Sequence, residues 1–144
     1  MRRLMVVASA AGVLILIAAG SAIAATSATV KPFTVHMTGA QEVPKGSPTG
    51  SGTFRYQLVT KTHLLCYSLE WSGIGTPYAS HIHKAPKGVE GNVVVPLSAS
   101  SPVKHSGCVK VPASLLAAIG KNPGAYYVNV HTKKYPGGAL RGQL

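Results

Sequence analysis

The chain has 144 residues, with 14 Lys and Arg against 3 Asp and Glu, and a formal net charge of +11. That length fits one domain, and 46% hydrophobic with only 12% charged residues excludes a disordered chain. Glu42, Glu70 and Glu90 are its only acids, too few for an EF-hand and a poor supply for a two-carboxylate glycosidase or an aspartic dyad.

Met1-Arg2-Arg3 is a positive start, Leu4 to Ala19 an uncharged apolar run, and Ala22-Ile23-Ala24 a small-x-small cleavage pattern. Residues 1–24 therefore read as a signal peptide, with a retained membrane anchor as the rival. After cleavage no stable membrane span is expected. Loss of Arg2 and Arg3 takes the charge from +11 to +9. Residues 25–32 form a short Ala/Thr/Ser linker.

From residue 33 the pattern has period two. Phe33–Met37 alternates, and a Gly/Pro/Ser loop follows at 44–52. Thr53–Val59 and His63–Trp71 each place apolar residues on one face. Further strands are predicted at Tyr78–Lys84, Asn92–Leu97 (stopped by Pro96), Lys104–Val111, Tyr126–His131 and Ala139–Leu144. Pro112–Gly120 breaks the period: Leu115, Leu116 and Ile119 have helical spacing behind a proline suited to a first turn. The expected fold is all-β, an antiparallel Greek-key β-sandwich or barrel with one short crossover helix.

Export to an oxidising compartment makes Cys66 and Cys108 a disulfide by default. They lie too far apart for a Cys-x-x-Cys redox motif.

The residues best suited to chemistry are histidines. His81-Ile82-His83 places two imidazoles on one face of a strand, Cβ atoms about 6–7 Å apart. Tyr127, Asn129 and His131 share a face of a second strand. If the two strands meet, His81, His83 and His131 make a three-nitrogen site for copper or zinc. The alternative is a polar network of satisfied imidazoles. Nucleotide loops, a nucleophile elbow and His-Glu-x-x-His are all absent from the sequence.

Four segments, TGAQEVP (38–44), ASHIHKAPKGVEGNVVVPL (79–97), YYVNVHT (126–132) and PGGALRGQL (136–144), occur in an order that resembles the CHRD (chordin) domain. The likeness runs from Phe33 to Leu144. It implies an all-β fold, present once in secreted bacterial proteins and repeated in chordins. Within these motifs, Glu42 can pair with Arg141, ligate a metal, or orient an imidazole. Asn129 can cap a loop or bond to His131. Arg141 can anchor a network or contact an anion. Gly137-Gly138 reads as a turn into the last strand.

The lysines are scattered and no Arg/aromatic stripe appears, so nucleic acid is not an expected partner. Anionic envelope polymers or another extracellular protein are. Lys84, Lys87, Lys133 and Lys134 flank the histidine segments and would give a site there a positive rim that depresses the histidine pKa values. The functional expectation is a secreted, non-enzymatic binding module. Its rival is a copper or zinc protein, with superoxide dismutase-like redox activity as an analogy of fold and His-x-His strand.

Overall fold

The computed structural model describes residues 32–144; the expected signal peptide and nearly all of the linker lie outside the described residues. Eight strands form one sheet: β1 (Phe33–Thr38), β2 (Ser51–Val59), β3 (Leu64–Ser72), β4 (Pro77–Lys84), β5 (Asn92–Ser98), β6 (Ser106–Lys110), β7 (Tyr126–Thr132) and β8 (Leu140–Gln143). The spatial order is β5-β4-β7-β8-β1-β2-β3-β6, and every pairing is antiparallel. The edge strands β5 and β6 come into contact, so the sheet curls into a nearly closed barrel. The Tyr67 hydroxyl on β3 donates to the Leu97 carbonyl on β5 at 3.0 Å, across that seam. Among the described residues no helix is long and apolar enough to cross a membrane.

Alternation builds the core. Phe54, Tyr56, Leu65, Tyr67 and Leu69 point inward from β2 and β3, with Ile82 of β4, Val128 and Val130 of β7, and Leu140 of β8. Burying each such side chain contributes roughly 1.5–3 kcal/mol. The helix α1 (Ala113–Lys121) follows Pro112 and buries Leu116 and Ile119 on that core. Cys66 and Cys108 are directly paired across β3 and β6 and form the expected disulfide. It fastens edge strand β6 to its one strand partner in the sheet.

One boundary departs from expectation. Pro96 does not stop its strand; β5 runs through it to Ser98. β5 is an edge strand, where a missing N–H is tolerated, and its pairing with β4 is irregular around Pro96.

β7 is buried along its whole length. Tyr126, Val128 and Val130 face the core. Tyr127, Asn129 and His131 face the other way, yet they too are covered. Three segments roof this outer face: 39–47, the loop 85–91 and the turn 133–139.

Candidate metal centre

The register of β4 and β7 explains how the histidines meet. His81 lies opposite Asn129, His83 opposite Tyr127, and Ala79 opposite His131. All six side chains share the outer face. Directly opposed and diagonal neighbours on one face are within reach of long side chains. His83 stacks on Tyr127, centroids 4.8 Å apart and planes 13° apart. The ring centroids of His81 and His83 lie 5.7 Å apart, those of His81 and His131 5.0 Å, and those of His83 and His131 6.4 Å. One ligand nitrogen from each of the three falls within 4.8 Å of the others.

The hydrogen bonds fix two tautomers. His83 Nδ1–H donates to the Gly91 carbonyl at 2.8 Å. His131 Nδ1–H donates to the Pro136 carbonyl at 2.9 Å. A neutral ring held this way carries its lone pair on Nε2. His131 Nε2 faces His81 Nδ1 at 3.2 Å and the Asn129 side-chain oxygen at 3.0 Å. His83 Nε2 is buried and has no hydrogen-bond partner. Backbone carbonyls that orient two ligand rings are the usual outer support of a histidine metal site. A nitrogen pair 3.2 Å apart also matches the edge of a tetrahedron with Zn–N bonds of about 2.0–2.1 Å.

Burial and the neighbouring imidazoles of His131 and His83 push the His81 pKa down to about 4. Burial lowers His131 too, against the Pro136 carbonyl, which favours its charged form. The cause is desolvation and imidazole crowding, not the lysine rim anticipated from sequence. The lowered values keep the His81 and His131 rings deprotonated at neutral pH, which is the form a metal takes.

Arg141 is 1% exposed, and its role differs from a pairing with Glu42. Its guanidinium lies 3.4 Å over the Tyr127 ring and donates to the carbonyls of Val89 and Pro86, both at 2.9 Å. Gln143 donates to the Ala85 carbonyl at 2.9 Å. The Gly91 N–H donates to the Tyr127 hydroxyl at 3.3 Å. These contacts clamp the loop 85–91 over the outer face and so place the Gly91 carbonyl that holds His83. Sequence reasoning missed Tyr127, Gly91 and Pro136. Only the shared face of Tyr127 and His131 hinted at the first, since backbone carbonyl anchors leave no residue-type signature.

Among the described residues the one ion pair is Arg55–Glu70, at 3.1 Å on the surface. Glu42 is instead buried beneath the 133–139 turn, with Oε1 unpartnered. Burial pushes its pKa up to about 7, against the Arg141 charge and the Val43 and Asn129 amides. It does not join the histidine cluster. Gly138 has φ 146°, and a Cβ there would meet the Glu42 carboxylate. The double glycine is therefore both a turn and the space that houses Glu42. The Asn129 side-chain oxygen lies beside His131 Nε2, as the shared face predicted, but two acceptors meet there in the tautomer that Pro136 holds. Thr132 is structural: its hydroxyl accepts the Tyr135 N–H at 3.2 Å.

An antiparallel barrel with a roofed histidine face defines the class of domain. A family model for the CHRD domain matches residues 33–144, and the chain belongs to that family. No curated protein and no solved structure matches it.

Proposed function

We propose that this CHRD domain is an exported binding module that holds a zinc or copper ion on His81, His83 and His131. The observation that carries the metal reading is His83 Nε2. A polar network accounts for the other imidazole nitrogens of His83 and His131: His81 Nδ1–H can donate to His131 Nε2, and both Nδ1–H groups reach carbonyls. It leaves the His83 lone pair buried without a partner, at a cost of about 1–3 kcal/mol. A cation shared by the three nitrogens satisfies all of them. Three histidines also leave a coordination position open to water or a further ligand. Export is supported by the N-terminal pattern of residues 1–24 and by the disulfide, a bond that persists outside a reducing cytosol.

The test is calorimetric titration of the metal-stripped, oxidised domain with Zn²⁺ and with Cu²⁺. One ion per chain should bind, raise the melting temperature, and be lost in His83→Ala but not in His36→Ala, an exposed strand histidine. No binding of either ion, or equal binding by His83→Ala, overturns the reading.

A further inference from the structure

Beside the histidine face lies a cleft of about 710 Å³, lined among others by Thr76, Tyr78, Thr132, Lys133, Lys134 and Tyr135. We infer that this cleft binds a short segment of an anionic glycan. The inference rests on the exported reading for access to such a polymer, and not on the metal.

The cleft forms where the turn after β7 meets the turn between β3 and β4. A register irregularity between Pro77 and Ala79 brings Tyr78 to the side of His131, ring centroids 6.3 Å apart. Tyr78 is 37% exposed, a bare aromatic face on the cleft wall. Lys134 sits 5.4 Å over the Tyr135 ring, which holds its ammonium group at the cleft. Lys133 is exposed beside it. None of Glu42, Glu70 and Glu90 lines the cleft. Its charged side chains are therefore all cationic, and the local field selects anions.

The remaining lining sets the ligand class. Thr49, Thr76 and Ser101, all on the cleft wall, carry hydroxyls suited to sugar hydroxyl groups. The two tyrosines offer apolar faces with polar tips, suited to the CH face of a sugar ring. The volume lies within the roughly 300–1,000 Å³ of small-ligand sites, too large for a single ion. A uronate or phosphate-bearing sugar segment uses every feature: charge on the lysines, hydroxyls on Ser and Thr, ring faces on the tyrosines. A membrane surface would use only the lysines, because a concave wall cannot lie flat on headgroups.

The experiment titrates the full oxidised domain with oligogalacturonate, with its neutral methyl ester, and with vesicles containing phosphatidylglycerol, each with and without a chelator. Oligogalacturonate should bind, the ester at least tenfold more weakly, and chelator should change neither. Lys133→Gln with Lys134→Gln should weaken oligogalacturonate binding at least tenfold, and Tyr78→Ala should weaken it severalfold. Lys61→Gln with Lys110→Gln removes the same charge at the far end of β3 and should leave binding intact. Metal affinity of the Lys133/Lys134 variant, or its unaltered melting curve, checks its fold. Absent binding, equal loss in both lysine pairs, equal binding of the ester, or vesicle binding that alone depends on Lys133 and Lys134 overturns the assignment. A failed metal site leaves it standing, since the chelator arm is read separately.

Discussion

Arg141 stacks on Tyr127 while Tyr127 stacks on His83, so guanidinium, phenol and imidazole form one column across β8, β7 and β4. The top of the column holds the carbonyls of Pro86 and Val89. Lysine offers neither the planar face nor the fork of donors. Arg141→Lys should destabilise the domain by about 3 kcal/mol, because hydrogen bonds to a buried charge are lost and carbonyls are left bare. Urea unfolding measures the loss. Amide exchange should show residues 85–91 opening more than the β1–β2–β3 sheet.

Metal affinity should separate ligands from their supports. His81→Ala removes a donor and should abolish tight binding. Asn129→Ala removes a neighbour of His131 Nε2 but no ligand, and should weaken binding less than His81→Ala does. Calorimetry on both variants ranks them, and an Asn129→Ala loss as complete as that of His81→Ala would contradict the assigned ligand set.

Glu42 gives a pH signature. Its folded pKa, about 7, lies above the unfolded 4.5, so the folded state holds the extra proton between those values. Stability from this group is full below pH 4.5 and declines as pH rises through 7. His81 acts in the opposite sense: its pKa falls from 6.5 to about 4, so its contribution grows as pH rises across that window. Wild type therefore masks both effects, and a difference reveals one. Glu42→Gln minus wild type should rise by about 2–3 kcal/mol between pH 4.5 and pH 8, read from denaturant unfolding at each pH. A flat difference would mean that the carboxyl is solvated in the folded domain.

Reducing the Cys66–Cys108 bond opens a link between residues 42 apart in sequence. Loop entropy assigns it about 4 kcal/mol. The Cys66→Ser, Cys108→Ser double variant should lose about that much, with amide protection in β6 falling first because that strand has one neighbour in the sheet. Thermal melts with and without reductant provide the check.

Much of this architecture was legible in the sequence because it is local. Strand alternation, the helical spacing around Leu116 and Ile119, and the shared face of His81 and His83 depend on residues near one another in the chain. The meeting of His131 with His81 was legible only as a condition, because it depends on β4 pairing with β7 across about fifty residues. Glu42 and Arg141 were harder. Opposite charges in a family motif invite an ion pair, yet each lies under a different roof segment. Glu42 fits the hollow at Gly138, and Arg141 serves carbonyls, which any residue type can supply. Pro96 misled for a related reason: whether a proline breaks a strand depends on whether that strand is an edge.

In the hydrogen-bonded order of the sheet, β8 stands between two halves, β5-β4-β7 on one side and β1-β2-β3-β6 on the other. Its pairing with β1 links Thr38 to Arg141, a separation of about a hundred residues that makes it among the slowest contacts to form. Each half can gather its hairpins early, but the column of Arg141, Tyr127 and His83 waits for that last strand. The clamped histidine face should therefore be completed late in folding, and a chain halted before residue 140 would carry all three imidazoles without the Arg141 side chain that fastens the loop 85–91 over them.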